Sequence, residues 1–287
     1  MSWPSLRSSE WILVGFFAYI TAISPLFRDR PHLSYQPAVA LAGVLALFSA
    51  LARFQHSLGA KAIGIVRDWL PIPLTLMAFR EMELFLTSSY ARAYESAWIR
   101  WDDLLLRTWH LRGLIEYAGK IIPFYLELCY LLVYGVGAFC VVVLYVRGQR
   151  GEVNRFWSIY LVGTLAAYAL FPCFPSQPPR IAFPAVGAPS VTTWVRELNM
   201  SILRHATIHS GVFPSAHVSS AFSCAWGMFL VLPERRRFGW GLLLYAFSVS
   251  VATIYGRYHY AADVVAGFGI SLVAGIVCIA MAERHGS

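Results

Sequence analysis

Eight apolar runs dominate this chain of 287 residues, and most are long enough to cross a lipid bilayer. They cover residues 11–27, 38–54, 69–86, 121–146, 156–173, 214–232, 239–256 and 261–282. A helix needs about 20 residues to span the hydrocarbon core. With 58% hydrophobic and only 13% charged residues, the chain lacks the polar surface of a soluble globule of this size. The sequence therefore predicts an all-α, polytopic membrane helical bundle with six to eight transmembrane helices.

The third run, residues 69–86, is less regular than the others. Pro71 and Pro73 interrupt it, and residues 80–83 carry three charged side chains. Prolines and charges at membrane depth are tolerated where protein surrounds them. The run is therefore either a broken spanning helix or a re-entrant segment, and we favour the crossing.

The loops between the runs indicate an orientation. If all eight segments cross, both termini lie on one side, together with short loops rich in Arg and Lys. These loops are residues 55–68, 147–155 and 233–238. Positively charged short loops face the cytoplasm, so we expect the opposite loops, 87–120, 174–213 and 257–260, to be non-cytoplasmic.

The net charge of +8 has two possible explanations. Nucleic-acid binding would require basic residues interleaved with aromatic ones on one face, whereas here they are scattered over short loops. Attraction to anionic lipid headgroups explains the charge better. We therefore expect the lipid bilayer as a partner and no nucleic acid.

The chain shows no internal repeat and no shift in composition that would separate two folding units. We predict one integrated membrane domain with two parts. Residues 1–120 supply N-terminal transmembrane helices and an interfacial amphipathic helix, whose Trp, Leu and charged residues alternate at helical spacing over 95–117. Residues 121–287 form the catalytic transmembrane core.

Three polar clusters lie at the ends of apolar runs on the predicted non-cytoplasmic side. They are CFPSQPPRIAFP (173–184), FPSAH (213–217) and YGRYHYAADVVAG (255–267). Antiparallel helices of a bundle bring such ends together at one level of the membrane. We therefore expect these clusters to form one site.

His259 and Asp263 are four residues apart, which places them on one face of a helix. The carboxylate can then accept the Nδ1–H of the imidazole and leave Nε2 as a free lone pair. That arrangement suits a nucleophile or a general base. A buried ion pair that only joins two helices is the structural alternative.

Pro214 and Ser215 are typical of a helix start, with Ser215 as the N-cap. The free N–H groups and the dipole of such an end attract an anion such as phosphate. His217, two residues further on, can give a proton to a departing oxygen. Arg180 adds a permanently charged fork that suits phosphate oxygens, although an interfacial arginine also extends to lipid headgroups in many proteins.

The three clusters, in this order, resemble the type 2 phosphatidic acid phosphatase superfamily, which includes vanadium haloperoxidases. That family shows Lys-x6-Arg-Pro, then Pro-Ser-Gly-His, then Ser-Arg-x5-His-x3-Asp, and the resemblance covers roughly residues 121–282. PSAH and HYAAD are the close matches here. The roles that the resemblance implies are nucleophile for His259, its orientation for Asp263, acid–base catalysis for His217, and phosphate binding for Arg180 and Ser215.

The chain also departs from the family pattern. Cys173 replaces the lysine, Ile181 the proline, Ala216 the glycine of the phosphate-binding motif, and Thr253 the arginine. Two expected cations are therefore missing, although Arg257 can supply one charge from another backbone position. Upstream, RDWLPIPLTLMAFREME and the WDD of WDDLLL are similar to the inositol phosphorylceramide synthase branch of the superfamily.

The missing cations bear on the substrate. A phosphate monoester carries about −1.5 to −2 charges at neutral pH, whereas a phosphodiester carries about −1. A site with fewer cations suits the diester, which favours transfer of a phospho-headgroup from a phospholipid to an acceptor alcohol. The alternative is a lipid phosphate phosphatase, acting on phosphatidate-like or polyprenyl phosphates with water as acceptor. A non-catalytic lipid-binding membrane protein is a third, less favoured interpretation.

We expect neither a cofactor nor a metal ion, since both histidines and the carboxylate already have roles and no further ligand group is evident. The expected partners are a phospholipid or lipid phosphate, an acceptor alcohol or water, and the bilayer. We expect a multi-pass protein of the cell inner or plasma membrane, with its active site on the non-cytoplasmic face.

Overall fold

The computed structural model describes residues 6–286, apart from 28–29, 56, 58, 86–92, 206–207 and 209–210. The regular elements in this part of the chain are all helical. The α-helices are α1 (Ser8–Ile23), α2 (Gln36–Phe54), α3 (Ala60–Trp69), α4 (Pro71–Glu81), α5 (Ala93–Asp103), α6 (Leu111–Glu116), α7 (Ile121–Leu132), α8 (Val136–Val146), α9 (Val153–Leu170), α10 (Pro179–Ala182), α11 (Trp194–His205), α12 (Ala216–Val231), α13 (Arg237–Tyr255) and α14 (Ala261–Gly286).

Seven helical segments of the described chain are long and apolar enough to cross a membrane. They are Ser8–Leu26, His32–Phe54, Ala60–Phe85, Ile121–Val146, Arg150–Cys173, Arg237–Tyr255 and Ala261–Met281. An eighth apolar helix, α12, is shorter at 16 residues. The predicted all-α bundle of six to eight transmembrane helices is confirmed.

The irregular third run belongs to one helical segment that contains two α-helices joined at a single residue. Helices α3 and α4 meet at Leu70, and Pro71 occupies the first position of α4. Proline is tolerated there because the N–H that it lacks would have no partner in the first helical turn. The combined segment Ala60–Phe85 has 26 residues, which is enough for the expected crossing.

Helix α12 lies at the centre of the bundle, where it packs against α9, α13 and α14. Most of its residues are buried, as expected for a helix that is apolar on all sides. Small residues allow close approach of neighbouring helices. Ser219 of α12 donates its hydroxyl to the carbonyl of Gly163 on α9 at 2.8 Å. The central position of α12 fixes the level of His217 at its start.

The two ends of the bundle hold different sets of polar groups. At one end, the start of α1, the last turn of α3 and the 3₁₀ turn before α9 meet through Arg7, Asp68 and Arg150. At the other end, α5 meets the loop before α14 through Asp102 and Arg257. The residues at each end come from segments that the sequence analysis assigns to the same side of the membrane. The grouping therefore agrees with an arrangement in which successive segments cross in opposite directions.

The predicted amphipathic helix over 95–117 is helical but not continuous. Helices α5 and α6 are separated by a π-helical turn and by His110, which has a left-handed conformation with φ 54°. Trp101 and Trp109 are exposed on the outer face, whereas Glu95 and Asp102 are buried against the core. The segment therefore has exposed aromatic and buried acidic residues, and the acidic ones attach it to the loops before α10 and α14. Its position at the membrane interface stays a prediction.

Asp68 joins three elements at the end of the bundle opposite the polar clusters. Its carboxylate accepts hydrogen bonds from Arg7 (2.6 Å), Arg150 (2.7 Å) and the Tyr145 hydroxyl (2.6 Å). The side chain of Asp68 is only 4% exposed. Its charge is therefore balanced almost entirely by these partners.

We expect Asp68→Ala to lower the free energy of unfolding by about 3 kcal/mol, because two arginines lose their carboxylate. Thermal unfolding in detergent measures the change as a lower midpoint. Glu152→Gln is the control, since the exposed pair of Glu152 with Arg155 at 3.7 Å contributes little. Equal midpoints for the two variants would contradict the role of Asp68.

Candidate active site

The structure brings the three predicted clusters together at one end of the bundle. His217 lies in the first turn of α12, His259 in the loop before α14, and Asp263 in the first turn of α14. The His217 Nδ1 and His259 Nε2 atoms are 3.3 Å apart, although the residues are 42 positions apart in sequence. Arg180, from the short helix α10, lines the same cavity as both histidines.

The orientation of His259 follows from two hydrogen bonds of its Nδ1 atom. This atom is 3.0 Å from the Val212 carbonyl oxygen and 3.2 Å from Asp263 Oδ2. A carbonyl oxygen only accepts, so the hydrogen-bond network assigns the proton to Nδ1. Nε2 then keeps a lone pair that points toward His217 and the cavity.

Burial lowers the pKa of His259 well below its ordinary value, and the charge of the nearby Arg180 lowers it further. A lowered pKa keeps an imidazole neutral as the pH falls toward the ordinary histidine range. His259 is therefore a neutral ring whose Nε2 lone pair is available for attack.

Asp263 is held from both its side chain and its backbone. Besides His259, its Oδ2 atom accepts the backbone N–H of Tyr260 at 2.9 Å. Its backbone carbonyl accepts the N–H of Ser215 at 3.0 Å, which connects the starts of α12 and α14. The carboxylate is fully buried. It therefore both joins two helices and orients His259, so the two interpretations of this pair are compatible.

The start of α12 has the predicted cap. Ser215 accepts the N–H of Val218 at 3.3 Å, which satisfies one of the free donors of the first turn. The Ser215 side chain is buried in this cap, whereas Ala216 and His217 line the cavity. Tyr130 stacks on the His217 ring at a centroid distance of 5.1 Å.

Arg180 is the unpaired cation of the cavity. Its guanidinium lies over the Tyr258 ring, 5.8 Å from the centroid, and its backbone N–H donates to the Arg257 carbonyl at 3.2 Å. No carboxylate of the described residues forms a salt bridge with it. Burial lowers the pKa of Arg180, but a guanidinium remains charged near neutral pH. The charge is therefore available to an anion.

Arg257 is not among the residues that line the cavity, so the charge that the sequence analysis expected it to supply to the phosphate stays a prediction. Its guanidinium donates to Asp102 Oδ2 at 2.5 Å, and both side chains are buried. The second oxygen of Asp102 accepts the N–H of Ala261 at 2.8 Å, at the start of α14. Burial raises the pKa of Asp102, while the charge of Arg257 lowers it. Arg257 therefore attaches the His259 loop to α5.

Thr253 and Cys173 occupy the two positions where the resembled family pattern has other cations, and both lie away from the cavity. Thr253 is fully buried, and its carbonyl accepts the backbone N–H groups of Tyr258 and His259 at 2.9 and 3.1 Å. Cys173 is exposed in a 3₁₀ turn after α9. Neither residue lines the cavity. Among the described residues, no group of three His, Cys, Asp or Glu side chains is arranged to hold a metal ion.

A buried carboxylate that the sequence analysis missed holds Tyr258, the residue before His259. Glu127 accepts hydrogen bonds from the Tyr258 hydroxyl (2.5 Å), Arg196 (2.6 Å) and Asn199 (2.8 Å). Tyr258 in turn stacks on Tyr130 at 3.9 Å. An acidic residue inside the apolar run 121–146 was the available signal, because charges at membrane depth are rare without a function.

A helical membrane bundle in which two histidines and an arginine line one cavity, with a buried carboxylate behind one histidine, defines an enzyme of the phosphatase or phosphotransferase type. The chain belongs to the PAP2 superfamily, whose sequence profile matches residues 99–277. This confirms the predicted resemblance and places the start of the match within α5, which carries Asp102.

Comparisons with solved structures and with curated proteins give one similar structure and no curated relative. The crystal structure of Aquifex aeolicus LpxE is similar, with 22% sequence identity and a TM-score of 0.44, over 59% of this chain and 93% of that chain. A comparison with curated proteins gives no match. The likeness to the inositol phosphorylceramide synthase branch stays a prediction.

We expect His259→Ala to reduce turnover by more than about 10⁴-fold, since the variant lacks the Nε2 lone pair that the Nδ1 hydrogen bonds orient toward the cavity. Asp263→Asn should cost only about 10–100-fold, because the Val212 carbonyl still holds the Nδ1–H. Turnover of the purified variants in lipid micelles measures both losses. His205→Ala, on the exposed end of α11, is the control. Equal losses for His259→Ala and Asp263→Asn, with a lower unfolding midpoint, would favour a purely structural pair.

Proposed function

We propose that this enzyme transfers a phospho-headgroup from a phospholipid to an acceptor alcohol through a phosphohistidine at His259. The main support is the neutral His259 ring, whose Nε2 atom lies 3.3 Å from His217 in the cavity that Arg180 lines. This arrangement supplies a nucleophile, a proton carrier and a cation for the phosphate within one cavity.

In the first step, the phosphate replaces the hydrogen bond between the two histidines. The Nε2 lone pair of His259 forms a bond to phosphorus while the bond from phosphorus to the lipid oxygen breaks. The departing oxygen takes a proton from His217, which begins the step as imidazolium and ends it neutral. Bound phosphate favours that cationic form, since an opposite charge nearby stabilises an ionised group. Asp263 stabilises the positive charge of the phosphohistidine.

In the second step, the acceptor alcohol gives its hydroxyl proton to neutral His217 while its oxygen attacks phosphorus. The bond between phosphorus and His259 Nε2 breaks, and the lone pair returns to the ring. The products are the lipid alcohol, diacylglycerol for a glycerophospholipid donor, and a new phosphodiester. Water in place of the alcohol would make the same site a phosphatase.

The charges around the site support a phosphodiester donor. Three arginines lie near His259, but Arg257 is paired with Asp102, and Arg196 is paired with Glu127. Arg180 is left as the cation that faces the cavity. The proton on His217 passes to the departing oxygen, so one permanent positive charge remains, and it balances the single charge of a diester better than the charge of about −1.5 to −2 of a monoester.

We expect purified protein in mixed micelles to convert headgroup-labelled glycerophospholipids and long-chain or polyol alcohols into diacylglycerol and a new labelled phosphodiester. The reason is the single unpaired cation of the cavity. Chromatography of the labelled products identifies the acceptor, and the His259→Ala protein is the control. Inorganic phosphate from a lipid monophosphate as the sole product, across donors and acceptors, would favour the phosphatase alternative.

We further propose that the cavity opens on the non-cytoplasmic side of the membrane, because the Arg-rich loops belong to the opposite end of the bundle. In a chain without its native cysteines, Ala185→Cys should react in intact cells with a membrane-impermeant thiol reagent, whereas Glu234→Cys should not. Both positions are exposed, so access to the compartment decides the reaction. The reverse pattern would contradict this orientation.

A further inference from the structure

A long cavity of about 330 Å³ continues from the two histidines into the bundle. One wall is a stripe on α9 and the turn that follows it. The stripe consists of Trp157, Tyr160, Thr164, Tyr168 and Phe171. These residues recur every three or four positions and therefore share one helix face. Fourteen residues at about 1.5 Å each give a length of about 21 Å, or two-thirds of a ~30 Å hydrocarbon core.

Two further stripes complete the walls of this cavity. Helix α4 contributes Ile72, Thr75, Leu76 and Phe79, and the α7–α8 segment contributes residues between 130 and 138, both at helical spacing. Leu76 is 60% exposed and Tyr134 is 53% exposed, although both line the cavity. The cavity is therefore accessible from the side, at a depth where a lipid chain, not water, surrounds the protein.

The deep end of the cavity is closed by Trp157. Its indole is buried and donates its N–H to the Asp68 carbonyl at 2.8 Å, which fixes the ring. Gly137 lies opposite, so close that a Cβ atom there would be 3.1 Å from the ring. Among the described lining residues, Arg180 at the upper end carries the one permanent charge.

We propose that this cavity binds one hydrocarbon chain of the lipid substrate and that Trp157 limits the length of that chain. The cavity volume is at the lower end of the range for small-molecule pockets, while the cavity is about 21 Å long. Such a cavity is narrow, and its width suits a single hydrocarbon chain. A second chain of a diacyl lipid stays in the bilayer beyond Leu76 and Tyr134. The inference rests on the proposed function in that it places the phosphate at Arg180.

Ala138 offers a direct test, because it lines the cavity near the closed end. We expect Ala138→Phe to fill this end and to weaken only long chains. The probes are n-alkyl phosphates that differ by two carbons, and their dissociation constants are measured by calorimetry in detergent. His259→Ala is present in every protein so that no probe is consumed. Val142→Phe, half-exposed on the same helix and outside the cavity lining, is the matched control.

The expected result is equal affinity for short chains in all three proteins and at least tenfold weaker binding of long chains by Ala138→Phe alone. Partition of the probes into detergent is common to the three proteins and cancels in the comparison. Equal weakening at every chain length, or no difference at any length, would overturn the inference. Retained binding of short chains also shows that the variant is folded.

A second measurement avoids substitutions in the cavity. A long-chain alkyl phosphate with a terminal photoreactive group should label α4 or α9 near Trp157, and labelling of the lipid-facing side of α13 instead would overturn the inference. Both tests measure binding, so they separate this inference from the reaction. Length-limited binding without headgroup transfer would refute only the proposed function, whereas transfer with no length limit would refute only the chain site.

Discussion

The buried ion pair between Arg257 and Asp102 is the interaction on which the geometry of the site depends. It attaches the loop before α14 to α5, and the same carboxylate accepts the first free N–H of α14. A buried charge that loses its partner is costly, so the two residues hold each other in one arrangement. His259 is two positions from Arg257, and its ring orientation follows from the loop that this pair fixes.

Much of the fold was predictable because the membrane imposes simple rules. Spanning segments need about 20 apolar residues, and the eight runs correspond closely to the helices. The pairing of His259 with Asp263 was predictable from helical spacing alone. The partner of Arg257 was not predictable, because Asp102 is 155 residues away. Arg257 also lies in a loop, where no helical periodicity indicates which way its side chain points. Glu127 escaped notice for a related reason, since its partners come from two distant segments, α11 and the loop before α14.

The charges near the site are arranged so that structural and functional cations are separate. Arg257 pairs with Asp102 and holds the loop before α14, and Arg196 pairs with Glu127 beside Tyr258. Arg180 has no carboxylate partner in the part of the chain that the structure describes. Positions that carry cations elsewhere in the family hold Thr253 and Cys173 here. Thr253 contributes a carbonyl that fixes the His259 loop. The loss of a cation at that position is thus compatible with an intact loop.

Helix α4 forms one wall of the long cavity, yet it lies outside residues 99–277, which match the family. The other two walls, α9 with Trp157 and the α7–α8 segment, lie within that match, so the proposed chain site combines helices from inside and outside it. Substitutions in α4 can accumulate without touching the histidines, so lipid preference can diverge during evolution while the reaction stays the same. An engineer who exchanges the first four helices between such enzymes would exchange one wall of the proposed chain site and keep Trp157 and both histidines.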